Sequence, residues 1–356
     1  MYEILKYDDI DQGNIDGSHI LIDVRSPNEY NLETIPSAIN IPIFNDNERK
    51  LIGTTYTQES IEQAKKLGVK AAAKKLPHIY DRIATLNRKY NNLIFFCARG
   101  GFRSSSLVSL FKTLGIHAYK LDGGYKKYRK YINKALPEII KGVKFIVLYG
   151  NTGTGKTHIL ETIKGMGHDV LDLEGCANHR GSLLGSVGLG KPNTQKMFES
   201  MLYESLKNRK TNIVYVEGES KRIGRVIIPN FIYDAINNGI AIKIEASIET
   251  RIDNILEDYV HETDKELIDA LNQLRRYIGN KLIDRYIDMV QKSKYRGVAK
   301  ELMIKYYDPL YEYKNRTFNE TFYNENNEET AKQIVEWTGR ILATSELNDR
   351  VIRIRG

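Results

Sequence analysis

KFIVLYGNTGTGKTHILETIKG, residues 144–165, decides the second half of the fold. Its apolar run, Phe145 to Tyr149, reads as a buried strand. A glycine-rich turn follows, and then a plausible helix. The turn, Gly150-Asn151-Thr152-Gly153-Thr154-Gly155-Lys156-Thr157, fits G-x-x-x-x-G-K-[ST], a phosphate-binding loop. Its glycines let backbone N–H groups point inward at a phosphate, and the helix N-terminus adds positive potential. Lys156 would neutralise terminal phosphate oxygens, and Thr157 would hold Mg²⁺. A chance glycine turn would not come with strand, loop and helix in this order.

Working outward, two further strands end in acids. VLDLEG brings Asp172 and Glu174, and NIVYVEGES brings Glu217 and Glu219. Acids at strand ends beside such a loop hold metal, water or a base; a plain charged cap is the bland alternative. IKIEASIETRIDNIL resembles the strand-to-helix step of small nucleotide kinases. Helical periodicity then runs from about Ser247 to Lys314, followed by a strand in RTFNETFYN and a helix in EETAKQIVEWTGRIL. The predicted fold is α/β throughout: a first domain over 1–130, a linker over 131–143, a P-loop domain with a helical extension over 144–345, and a tail over 346–356.

The first domain alternates short strands with helices. SIEQAKKLGVKAAAKKLPHIYDRIATLNRKY is helical by periodicity, with Gly68 and Pro77 as interruptions. FFCARGGFRSSS, residues 95–106, carries a cysteine at the end of a buried strand, followed by glycines, arginines and serines. A thiolate ringed by backbone N–H groups and arginines has a lowered pKa, and such a loop also cradles an anion. Sulfur or selenium transfer, phosphate-ester hydrolysis through a phosphocysteine, and arsenate reduction all use this arrangement. The two cysteines, Cys97 and Cys176, form no disulfide framework, and no Cys/His cluster has zinc spacing.

At 356 residues, two domains are expected. The composition, 41% hydrophobic and 28% charged, is that of an ordinary globular chain. No apolar run approaches the ~20 residues that span a bilayer, and the first residues lack a signal-peptide pattern, so a cytoplasmic protein is expected. Net charge is +8, but residues 51–142 hold 18 Lys/Arg against 5 Asp/Glu. That excess reads either as a solvated basic face or as a surface for a phosphate-rich partner such as nucleic acid.

The segments around Cys97 resemble a rhodanese domain: LIDVRSPNEY, TIPSAINIP and LDGGYKKYR match its signatures. Five residues separate Cys97 from Arg103, where many rhodaneses have four. Five also occurs in phosphatases of this fold, although those place His before the Cys and here Phe96 stands there. A rhodanese-like domain followed by a P-loop domain resembles the tRNA 2-selenouridine synthases. IPIFNDNERKLIGTTYTQES (41–60), DLEGCANHRGSLLGSVG (172–188), VEGES (216–220) and YYDPLYEYK (306–314) extend the resemblance over roughly residues 15–335.

The resemblance implies an enzyme that replaces the sulfur of wobble 2-thiouridine in tRNA, in the family the Lys, Glu and Gln tRNAs, with selenium from selenophosphate. It also implies an S-geranylated intermediate made from geranyl diphosphate. Carried over by position, Cys97 is the selenium-transfer residue, and Arg99, Gly100, Gly101, Arg103 and Ser104 form the selenophosphate loop. Gly150 to Thr157 would take the diphosphate. Asp172, Glu174, Glu217 and Glu219 are candidates to bind Mg²⁺ or to support it, and Asn178, His179 and Arg180 are candidates for the same cleft. Cys176 is expected to be inert. Lys65, Lys66, Lys70, Lys74 and Lys75 are candidates for tRNA phosphates. A selenophosphate-supplying enzyme is a candidate partner; no zinc, haem, flavin, structural metal or membrane is expected. Two rivals stay open at this point: a phosphatase fused to a nucleotide-binding regulator, and a binding module without chemistry.

Overall fold

The computed structural model describes residues 3–181, 189–259, 264–310 and 316–355. The chain divides into two compact units, Met1–Glu138 with Lys196–Tyr203, and Ile139–Gln195 with Glu204–Gly356. Residues 182–188 and 311–314, part of two of the family-like blocks, lie outside the described residues.

In the first unit, β1 (Ile4–Leu5), β2 (His19–Asp23), β3 (Ile39–Asn40), β4 (Asn92–Phe96) and β5 (Ala118–Leu121) form one parallel sheet, in the order β1-β5-β4-β2-β3. Leu93 to Phe96 are fully buried, as the unbroken apolar run requires of a central parallel strand. Ile22, Phe95, Val108 and Phe111 pack into the core around it. Helices cover the sheet. In open parallel sheets ligands bind beyond the carboxyl ends of the strands, which here carry Asp23, Cys97 and Asp122.

The long helix Ile61–Asn87 runs through Gly68 and Pro77, which do not interrupt it as expected. Proline frees the carbonyl four residues earlier. Ala73 and Pro77 both lie on the exposed face of the helix, where solvent can reach a freed carbonyl. The residues read as a linker also fold as helix, through Ile139 in Gly124–Ile139. Tyr128, Ile132 and Leu136, four apart and all buried, give that segment one continuous apolar face.

In the second unit, β6 (Lys144–Tyr149), β7 (Asp169–Leu171), β8 (Ile213–Glu217), β11 (Ile240–Glu245) and β12 (Glu320–Tyr323) form a second parallel sheet, in the order β12-β11-β6-β8-β7. Between β8 and β11 a short antiparallel hairpin joins β9 (Arg222–Ile223) to β10 (Val226–Ile227). The helical stretch after β11 has its own core of Leu271, Leu274, Ile283, Tyr286, Val290 and Leu302. The last helix, Asn327–Arg355, continues through the residues read as a tail.

Candidate functional site

The Cys97 loop leaves the end of β4 and enters the helix Phe102–Thr113. Cys97 is 3% exposed, so its lining matters more than water. Its Sγ lies 3.3 Å from the Ser104 hydroxyl. Burial pushes the thiol up, but the Ser104 hydroxyl and backbone N–H, the Arg103 charge and the Arg99 backbone outweigh it, so the thiol is held below its ordinary value. Arg103 is not free to serve the loop alone: its guanidinium is bonded to both oxygens of Glu29, at 2.6 and 3.3 Å. Arg99 and Gly101 are exposed.

The loop is shaped from behind by Asp122-Gly123-Gly124. Tyr125 N–H donates to the Cys97 carbonyl and Lys126 N–H to the Ala98 carbonyl, each at 2.9 Å. Gly124 has φ +56°, and a Cβ there would overlap the Cys97 carbonyl. Only glycine allows this approach. Beside it, Arg25 is buried, paired with Asp23 at 2.6 Å and stacked 4.4 Å from the Tyr125 ring centroid.

Of the lysines, Lys65, Lys66, Lys70 and Lys74 are exposed on the helix Ile61–Asn87. Lys75 is partly buried and ion-paired with Glu48.

In the second unit Gly150–Gly155 joins β6 to the helix Lys156–Gly165. Lys156 Nζ donates to the Gly150 carbonyl at 3.0 Å, folding back over its own loop. Pairing of β6 with β8 sets Leu148 opposite Glu217. That register lets the Thr157 hydroxyl donate to Glu217 Oε1 at 2.7 Å. Oxygens of Glu174, Glu217 and Glu219 lie within 4.8 Å of one another. Burial, then repulsion from Glu217, pushes the carboxyls of Glu174 and Glu219 well up.

Asp172, the fourth acid, does other work. It is the N-cap of the helix Leu173–Ala177 and accepts from Gly175 N–H at 2.7 Å. Asn178 ends that helix with φ 49° and donates to the Leu189 and Lys191 carbonyls at 2.8 and 3.0 Å. His179 is 8% exposed and packs so closely on Gly224 that a Cβ there would overlap its ring. Burial, with the nearby Arg225 charge, holds it below its ordinary value. Arg180 is half-buried, and Gly181 beside it approaches the carboxylates of Glu174 and Glu219. Burial pushes the Cys176 thiol up to about 12.

Four residues that the sequence reading did not place shape the phosphate loop. Arg251 donates to the Thr152 carbonyl at 2.9 Å, Asn254 to Gly153 at 2.8 Å and Asn324 to Thr154 at 2.9 Å. All three side chains are buried. Three successive carbonyls, Thr152 to Thr154, are thus engaged by side chains, while the Thr154 N–H donates to the Asn151 carbonyl at 3.3 Å within the loop. Asp308 fixes Arg251 through two bonds at 2.6 and 3.1 Å and accepts from Asn151 at 3.1 Å. Asp308 belongs to the quoted YYDPLYEYK block; nothing in its spacing marks it as a partner of residue 251.

Fold and site together define a two-unit protein: a rhodanese-like unit with a cysteine loop, and a P-loop α/β unit with an acidic cluster. The rhodanese-like domain family matches residues 7–131, and the tRNA 2-selenouridine synthase AAA domain family matches residues 143–342. A protein named tRNA 2-selenouridine synthase from Nitrosomonas europaea is 35% identical over 251 residues, 68% of this chain and 64% of that one. The chain thus spans just under two thirds of that relative. One of the same name from Pseudomonas syringae pv. syringae is 31% identical over 328 residues, 82% of this chain and 87% of that one. The crystal structure of an N-terminal domain from Clostridium difficile 630 is 38% identical with a TM-score of 0.35, covering 36% of this chain and 98% of that one. The chain belongs to the tRNA 2-selenouridine synthase family.

Proposed function

We propose that the protein is a transferase that replaces the sulfur of wobble 2-thiouridine in tRNA with selenium, through an S-geranylated base. One observation carries the reading. A chain of this family presents two different loops, one built around a cysteine whose thiol is held below its ordinary value and one beside three carboxyl groups.

The chemistry suits two loops. In the first step the thiocarbonyl sulfur attacks C1 of geranyl diphosphate, the C–O bond breaks and diphosphate leaves. Backbone N–H groups of the glycine-rich loop and the charge of Lys156 would favour that departure. Alkylation turns the sulfur into a leaving group. In the second step the selenium of selenophosphate bonds to C2 and the C2–S bond breaks; water then attacks phosphorus, forming P–O and breaking P–Se, so that phosphate leaves and geranylthiolate takes up a proton as geranylthiol. Cys97 acts there as the selenium-transfer residue, with Arg99, Gly100, Gly101 and Ser104 on the anion and Arg103 acting through its charge.

Glu174, Glu217, Glu219 and Thr157 offer only hard oxygen donors, the set that suits Mg²⁺. Bound there, Mg²⁺ would neutralise diphosphate charge. Substitution of Glu217 by Gln should therefore remove the Mg²⁺ dependence of geranyl transfer. The tRNAs are those of the family, with Lys, Glu and Gln, and the selenophosphate-supplying enzyme is a partner. No helix among the described residues is long and apolar enough to cross a membrane, and we place the reaction in the cytoplasm.

The test is mass spectrometry of a 2-thiouridine anticodon stem-loop. The full chain is given geranyl diphosphate and Mg²⁺, then selenophosphate. A geranyl mass gain, replaced by selenium, is expected. Unchanged RNA, with turnover of an aryl phosphate that needs Cys97, would favour a phosphatase instead.

A further inference from the structure

A buried sulfur and an RNA base can meet only if the base leaves its stack. Cys97 is 3% exposed, so the base must be held at the mouth of its loop. Recognition of unstacked bases rests on stacking against aromatic rings or guanidinium planes, and 23 tyrosines and 10 phenylalanines give no choice among rings by sequence alone. The fold gives one.

Phe102 opens the helix after the Cys97 loop and is 70% exposed. Next to it, Gly101 has open space where a side chain would stand. Lys65 Nζ lies 5.6 Å from the Phe102 ring centroid, a cation–π distance. Lys65 comes from the helix Ile61–Asn87, which carries six Lys/Arg against two acids. Lys66 and Lys70 on it are exposed. Other exposed apolar side chains of this unit, such as Leu51, Tyr56 and Tyr80, lie on helices away in sequence from the thiol loop. An exposed ring with one lysine over it, from a helix that is basic and exposed, matches a base with its phosphates better than it matches an uncharged chain or a protein surface.

We propose that Phe102 is the stacking platform for the unstacked pyrimidine base of the RNA substrate, with Lys65, Lys66 and Lys70 on the flanking phosphates. The inference rests on the RNA-modifying function proposed above and names its base contact. The ring positions the base and takes no part in bond making.

The test uses the full chain and a fluorescent 2-thiouridine anticodon stem-loop, with affinity read by anisotropy. Stacking on one ring predicts that Phe102→Ala binds about 5- to 150-fold more weakly. Phe102→Tyr, which keeps the π-face, should bind like the parent. The salt dependence of Phe102→Ala should be unchanged, whereas Lys66→Gln should lower the salt slope by about 1. Equal affinity of Phe102→Ala and parent, in a protein that binds and modifies the RNA, would overturn the platform and leave the function standing. A loss that Phe102→Tyr fails to rescue, with altered alkylation of Cys97, would mean loop collapse and overturn it too. A change from dimer to monomer in Phe102→Ala would make the ring a self-association contact instead. A parent protein that neither binds nor modifies the RNA would remove the function and the platform together.

Discussion

Two cysteines of one chain are set apart by their surroundings, although both are buried. Cys97 has Ser104 at 3.3 Å and the Arg103 charge, which hold its thiol down against burial. Cys176 has burial and the nearby Asp172, which both push its thiol up. A lowered value places more of the thiol as thiolate at neutral pH, and the thiolate is the nucleophile. Alkylation by iodoacetamide between pH 6 and 8 should therefore label Cys97 alone, at a rate rising with pH through a midpoint below that of an ordinary thiol. Equal labelling of both residues in the folded protein would contradict this. The backbone behind the thiol is as particular. Gly124→Ala adds a methyl at φ +56°, where L residues are strained by about 1–2 kcal/mol, and drives it into the Cys97 carbonyl. Its expected result is slow, unselective labelling of Cys97; labelling at the parent's rate would refute the role given to Gly124.

Elements bring together what spacing cannot. The two loops were legible in the sequence because each is contiguous: a strand, a turn and a helix start within a dozen or so residues. The supports of the phosphate loop were not. Arg251, Asn254 and Asn324 reach it from about 100 to 170 residues away in sequence, and local pattern holds no trace of such a meeting. Asp172 shows the opposite failure. An acid after a strand fits both a metal site and a helix cap, and here the cap takes it. Pro77, expected to interrupt a helix, and the segment 131–139, expected to be linker, both fold as helix, since an exposed proline and a buried Tyr128-Ile132-Leu136 face are both compatible with it. The Arg251–Asp308 pair gives an element-scale prediction. Asp308→Ala leaves a guanidinium that is 9% exposed without its carboxylate. The stabilisation of the protein by geranyl diphosphate, read as a shift in melting temperature, should shrink. The labelling rate of Cys97 should stay as in the parent. A full ligand-induced shift in Asp308→Ala would show that the pair does not hold the loop.

At the scale of the whole molecule, the account assigns one chemical step to each unit. Family membership covers both, since the two domain models match residues 7–131 and 143–342. All but the last four residues of the basic stretch 51–142 lie within the unit that holds the thiol, where the proposed reaction would have an RNA present its base. The most direct measurement is mass spectrometry of the 2-thiouridine stem-loop after reaction with the parent, Cys97→Ala and Lys156→Ala, each given geranyl diphosphate, Mg²⁺ and selenophosphate. The account predicts selenium in the RNA for the parent, S-geranyl RNA that goes no further for Cys97→Ala, and unmodified 2-thiouridine for Lys156→Ala. Normal selenium incorporation by Cys97→Ala, or geranylation by Lys156→Ala at the parent's level, would contradict the division of labour between the two loops.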